Sequence, residues 1–255
     1  MFFIERGYTA FREALNFWRT ALSPRTRKSY MKLQDKLDAM RDDFENGRFP
    51  LVPTSAQLDT MQRATQSLID SRLADRALAA GDMAPEFRLQ DADGNTVSSR
   101  ELLTRGPLVA TFYRGVWCPY CNFDLQALEA VRPEIEARGA SLVALSPQTQ
   151  ANSRKSQRDN KLGFPILSDP GAGVAAAFGL RFSLPEDLIE VYKQFGNDLA
   201  AINKDPSWVL PMPARYVIGT DGVVAYAEVN PDYTRRPDPS ELLPVLDRLR
   251  AGSPA

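Results

Sequence analysis

The sequence predicts an α/β fold: a central mixed β-sheet flanked by helices and preceded by a helical segment. Three observations carry that reading. Apolar residues recur at helical spacing through roughly the first 80 positions. A strand-helix-strand pattern then begins, with PLVATFY (107–113) and SLVALS (141–146) as short apolar runs around a long helical stretch. Near the C-terminus, ARYVIGTDGVVAYAEV reads as a hairpin around Thr220, Asp221 and Gly222, because Asp-Gly accommodates a tight turn. A strand-helix-strand unit followed by a hairpin and a helix points to a mixed sheet.

The elements follow in order. Phe11, Leu15, Trp18 and Leu22 share a helical face, and Ser23-Pro24 reads as an N-cap with proline at the first helical position. Tyr30, Leu33, Leu37, Met40 and Phe44 form a heptad-like stripe that should end near Gly47. Thr54 and Gln57 have the spacing of a capping box, and Leu58, Met61, Leu68, Ile69 and Leu73 follow it. Two heptads are short for an independent coiled coil, so packing onto the main body is favoured over an oligomer interface. Gly81 and Pro85 mark a boundary, dividing a helical extension (1–80) from the α/β domain (81–255). After the first strand comes a helix over 118–138, then the second strand, then helical stretches near 150–162 and 171–178. Residues 181–212 are less regular, with a helix at 185–195 ending at Gly196. A helix over 239–250 closes the chain, and the tail AGSPA is expected to fray.

Composition excludes several classes of chemistry. The chain has 255 residues, 31 basic against 32 acidic side chains and no long run of one sign, so neither nucleic acid nor an anionic membrane is an expected partner. No apolar stretch approaches the roughly 18 residues of a spanning helix. The first residues, broken by Glu5, Arg6, Arg12 and Glu13, do not read as a secretory leader, and a cytoplasmic protein is expected. There are no histidines, which removes Ser-His-Asp and Cys-His catalysis and any imidazole metal ligand. Two cysteines are half the ligand set of a structural zinc, and no nucleotide-binding motif is present, so no metal or cofactor is expected.

Those two cysteines lie in TFYRGVWCPYCNFDL (111–125), at a strand-to-helix junction. A thiol attacks only as thiolate. Cys118 falls at or just before the first helical turn, where unpaired N–H groups and the positive end of the dipole stabilise an anion. Pro119 suits that position because its missing N–H would have no partner there. Cys121 lies one turn on, on the same face, close enough for a disulfide. Cys118 is the expected nucleophile and Cys121 the shielded partner that resolves its oxidised form, with Arg114 and Arg215 as candidate positive charges. Two buried reduced cysteines acting as small hydrophobes would not explain this placement, and C-x-x-C after a strand favours redox chemistry. Trp117 either shapes the reactive face or covers the core edge. Pro213, directly before a strand, admits a cis bond or an ordinary trans one. In PDYTRR (231–236), Tyr233, Arg235 and Arg236 either close over the site, bind a partner or form a solvated loop, and the loop is favoured.

Taken together, GDMAPEFRLQDADG, LVATFYRGVWCPYCNFDL, FPILSDPGAGVAAAFGL and MPARYVIGTDGVV resemble the peroxiredoxin-like branch of the alkyl hydroperoxide reductase/thiol-specific antioxidant (AhpC/TSA) family, over roughly residues 81–250. The resemblance implies a thioredoxin-like fold with an N-terminal β addition, and hydroperoxide reduction by a peroxidatic cysteine at the position of Cys118. It places Pro213 at the cis-proline facing the site, implies a homodimer, and matches the helical segment before residue 81 to an extension carried by such proteins. The family motif Pro-x-x-x-Thr/Ser-x-x-Cys supplies a hydroxyl that, with an arginine, binds the peroxide. Here Thr111 stands for the proline, Gly115 for the Thr/Ser and Pro213 for the later arginine, leaving Arg114 and Arg215 as stand-ins. WCPYC itself resembles thioredoxins and dithiol glutaredoxins, although Phe112 stands where thioredoxins bury an aspartate.

The first expectation is a thiol peroxidase that reduces hydrogen peroxide or organic hydroperoxides, closes a Cys118–Cys121 disulfide and is recycled by thioredoxin, glutaredoxin or glutathione. A thiol–disulfide oxidoreductase acting on protein disulfides and a redox-sensing interaction protein are the alternatives.

Overall fold

The computed structural model describes residues 32–49 and 51–252. The expected stripe at Phe11–Leu22, the Ser23-Pro24 cap, Tyr30 and the last residues of the tail lie outside the described residues. Two helices open the described chain. The first, α1, is Leu33–Glu45, and it buries Leu33, Leu37 and Met40 as the heptad spacing requires. The second, α2, is Ser55–Asp70. Thr54 accepts a hydrogen bond from the Gln57 N–H while the Gln57 side chain accepts from the Thr54 N–H, so the capping box is formed.

A hairpin of β1 (Arg88–Gln90) and β2 (Thr96–Ser98) leads into the short helix α3 (Ser99–Leu103). Then come β3 (Leu108–Phe112), α4 (Pro119–Glu136), β4 (Ser141–Ser146), α5 (Gln150–Asn160), β5 (Ile166–Ser168) and α6 (Gly173–Ala177). Strand β6 (Arg181–Ser183), α7 (Glu186–Gln194), α8 (Leu199–Asn203) and β7 (Val209–Pro211) form an excursion, with β6 and β7 paired apart from the main sheet. The chain closes with β8 (Ala214–Ile218), β9 (Val224–Val229) and α9 (Leu242–Arg250). The main sheet has seven strands in the order β2-β1-β5-β4-β3-β8-β9. Strands β3, β4 and β5 run parallel, while β8, β9, β1 and β2 pair antiparallel.

Period-two alternation in the central strands fills two cores at once. Val109, Leu142 and Ala144 face α4, α9 and α1, whereas Leu108, Ala110, Phe112, Val143 and Leu145 face Phe178, Tyr216 and the β1–β2 hairpin. Both faces are covered, which explains why PLVATFY and SLVALS read as unbroken apolar runs. The three-residue strands β1, β2, β5, β6 and β7 are too short to leave a periodic signal and were not anticipated individually. The expected helix at 239–250 begins as a 3₁₀ turn over Pro239–Glu241. No helix among the described residues is long and apolar enough to cross a membrane.

Candidate active site

The site is built where β3 hands over to α4. Cys118 is the N-cap of α4 and Pro119 its first residue. A hydrogen-bond framework fixes the intervening loop. The Gln148 side chain accepts from the Val116 N–H (2.8 Å) and donates to the Tyr113 hydroxyl (2.6 Å), while the Asn122 amide donates to the carbonyls of Val116 and Cys118 (2.8 Å each). Gly115 turns this loop with φ +145°, and a Cβ there would lie 2.6 Å from Trp117 Nε1. The indole N–H therefore stands where a Thr/Ser side chain at 115 would begin. The positive φ and this close approach both favour glycine at that position.

Both cysteines are free thiols and buried, at 1% and 0% exposure. Cys118 lines a cavity of about 110 Å³, and Cys121 is not part of its wall. Its walls are largely aromatic and apolar: Trp117, Tyr120, Tyr192, Phe195 and Tyr233 from the α/β body, and Met40, Phe44, Phe49, Leu51 and Met61 from the segment before residue 81. Burial pushes the Cys118 thiol up. It is outweighed by hydrogen bonds from the Cys121 thiol and backbone and by the charges of Arg114 and Arg236, so the pKa falls from 9.0 to about 6. Cys121 moves the other way: burial and the neighbouring Cys118 raise it well above the ordinary thiol value. One sulfur is thus poised as thiolate and its neighbour as thiol.

Arg114 reaches this site directly. It is 3% exposed, donates to the Tyr192 hydroxyl, and sits over the rings of Tyr233 (4.1 Å) and Trp117 (4.8 Å). Its Nε and the Trp117 Nε1 are both buried without a hydrogen-bond partner.

The other expected residues are placed differently. Arg215 engages its guanidinium with partners other than the sulfurs. It is buried on β8, donates to Asp124 and, at 3.5 Å, to the Pro237 carbonyl. The second cation beside the thiols is Arg236, whose Nη2 donates to Cys121 Sγ at 3.7 Å. The 231–236 stretch is consequently not a solvated loop. Thr234 and Arg236 are buried, and Tyr233 packs edge-on against Tyr120 at 5.5 Å. Helix α1 holds this stretch down: Gln34 accepts from the Arg236 N–H (2.8 Å) and donates to the Thr234 carbonyl (3.3 Å). Apolar packing under Tyr233 and tethering from a helix distant in sequence left no local signal. Pro213 also differs from the expectation. No cis peptide occurs among the described residues, so the Met212–Pro213 bond is trans. Pro213 lies directly before β8, where an ordinary trans proline is accommodated.

Asp124 was not anticipated. It lies three residues beyond Cys121, on the same face of α4, and bridges Arg215 and Arg236 (Nε–Oδ2 3.4 Å). Cys-x-x-Asp within an amphipathic helix was the available signal.

The AhpC/TSA family profile matches residues 80–227. The chain is 28% identical over 179 residues to the chloroplastic peroxiredoxin Q of Oryza sativa subsp. japonica, covering 70% of this chain and 71% of that protein. It is 32% identical over 110 residues to the thiol-disulfide oxidoreductase ResA of Halalkalibacterium halodurans, covering 42% of this chain and 61% of that protein. Among solved structures, the peroxidoxin BcpB of Mycobacterium tuberculosis superposes with a TM-score of 0.53 at 23% identity, over 68% of this chain and 97% of that one. The seven-stranded sheet and its flanking helices are accordingly a thioredoxin-like fold.

Proposed function

Since the chain belongs to the AhpC/TSA family, we propose that it is a thiol peroxidase in which Cys118 is peroxidatic and Cys121 resolving. The observation that carries this reading is the asymmetry of the two thiols. A lowered Cys118 at a helix N-terminus opens onto a cavity, and a raised Cys121 lies behind it. The Cys118 thiolate attacks the terminal oxygen of a hydroperoxide, the O–O bond breaks, and the alkoxide leaves with a proton as alcohol or water. Cys118 becomes a sulfenic acid. Cys121 then displaces its hydroxyl, which leaves as water once protonated, and a disulfide forms. Trp117 Nε1 and Arg114 Nε are the donors that take over from the absent Thr/Ser hydroxyl, since both are unpartnered and belong to residues that line the cavity. Two electrons from a thioredoxin-type dithiol or from glutathione reopen the disulfide. The reading takes residues 81–255 as the catalytic domain and the preceding residues as an extension that walls the cavity. It also places the protein in the cytoplasm, where such reductants keep thiols reduced.

Intact mass spectrometry after one equivalent of hydroperoxide tests this. Wild-type protein is expected to lose two hydrogens, and Cys121→Ser to gain one oxygen that dimedone traps. No peroxide-dependent change at Cys118 would refute the proposal. A second reading, disulfide exchange with client proteins, has the C-x-x-C geometry and the likeness to ResA in its favour. Fast reduction of a disulfide substrate together with inertness toward peroxide would select it.

A further inference from the structure

We infer that Arg236 is the counter-ion of the Cys121 sulfur, holding it as thiolate when it attacks oxidised Cys118 and again when it leaves on reduction. The inference goes beyond the peroxidase reading but rests on its Cys118–Cys121 disulfide.

The argument begins with what Cys121 lacks. It is the third residue of α4: Pro119 has no N–H, the Cys121 N–H serves Cys118, and the Asn122 N–H is held by the Cys118 carbonyl at 3.1 Å, so the amides that serve Cys118 do not serve it. Burial opposes its ionisation. Arg236 is the guanidinium that hydrogen-bonds its sulfur, through Nη2 at 3.7 Å, and it is only 6% exposed. Every other part of Arg236 is fixed. Its Nε pairs with Asp124 at 3.4 Å, its Nη1 donates to the Tyr233 carbonyl at 3.0 Å, and its backbone N–H is held by Gln34. A fork restrained at Nε and Nη1, on a backbone that is itself tethered, presents its remaining donors to the sulfur at little further entropic cost. Asp124 spends its charge on Arg236 and Arg215 rather than repelling the thiolate.

The chemistry needs such a group. Cys118, not Cys121, lines the cavity, so an incoming thiolate meets Cys118 first. A new sulfur–sulfur bond forms to Cys118, the old bond breaks, and its electron pair leaves on Cys121 as thiolate. Leaving-group stabilisation sets the rate of that exchange.

The test uses the full-length protein and no peroxide, so it stands whether or not the peroxidase reading does. Diamide first converts the two thiols to the disulfide and is itself reduced to the hydrazine. After its removal, glutathione is added and quenched samples are weighed for the mixed disulfide on Cys118. Losing a charge-assisted hydrogen bond should slow this step about ten- to a hundredfold in Arg236→Gln, with partial rescue in Arg236→Lys. If Arg236→Gln does not fold, Gln34→Ala carries the test: it cuts the tether and should also slow exchange. A wild-type rate in folded Arg236→Gln, or in Gln34→Ala where that variant is the one used, would overturn the inference. Equal loss in Arg236→Lys and Arg236→Gln would overturn it as well. So would failure of the wild type to close the disulfide.

Discussion

Replacing Asp124 by asparagine removes the carboxylate shared by two buried guanidiniums. The side chains of Arg215, Asp124 and Arg236 are 2%, 5% and 3% exposed, so water cannot take over the lost pairing. Breaking a buried ion pair by deleting one partner costs about 3–5 kcal/mol. At about 2–4 °C per kcal/mol for a chain of this size, the melting temperature should fall by about 6–20 °C. Glu228 makes the loss depend on pH. Burial raises its pKa from 4.5 to about 7, against the pull of Arg215 and Arg236, and Asp124 raises it further. Because the folded value lies above the unfolded one, wild-type stability declines as pH rises through that window. Without Asp124, Glu228 ionises at lower pH and becomes the counter-ion of both arginines. The destabilisation of Asp124→Asn should therefore be largest near about pH 5 and smaller near about pH 8. Differential scanning calorimetry of both proteins at those two pH values is the assay. A loss below about 1 kcal/mol at both, or one that grows with pH, would refute the reasoning.

Three further outcomes follow from the same geometry. Arg114→Met removes a charge that lowers Cys118, so the pH profile of Cys118 alkylation, with its inflection at about 6 in the wild type, should move upward by about one unit. An unmoved inflection would assign the lowering to Cys121, Arg236 and the helix terminus without Arg114. Gly115→Ala drives a methyl to within 2.6 Å of Trp117 Nε1; it should cost about 1–3 kcal/mol in urea unfolding and change the near-ultraviolet signal of the indole. Leu37→Ala empties a fully buried position where α1 meets α4; it should cost about 2–5 kcal/mol, whereas a cost near zero would mean that α1 does not share the core's unfolding transition.

Much of the fold was legible because its signals are local. Buried runs, a capping box and an Asp-Gly turn each depend on a few adjacent residues. Cys118 at the N-cap with Pro119 behind it was legible for the same reason. The rest of the site depends on residues that meet only in space. Arg236 is 115 positions from Cys121 and looked like one cation among several in a polar stretch. Arg215 was the plausible charge by position, yet strand β8 turns it toward Asp124. Gly115 read as a missing hydroxyl, and only the fold shows an indole N–H in that space.

The central claim is that Cys118 is a thiolate activated toward hydroperoxides. Stopped-flow tryptophan fluorescence tests it most directly, because Trp117 adjoins Cys118 and shares its cavity. Reduced wild-type protein mixed with hydrogen peroxide should give a signal orders of magnitude faster than an unactivated thiol, and Cys118→Ser should give none. A wild-type rate no better than that of free cysteine, with hydrogen peroxide and with an organic hydroperoxide alike, would contradict the account.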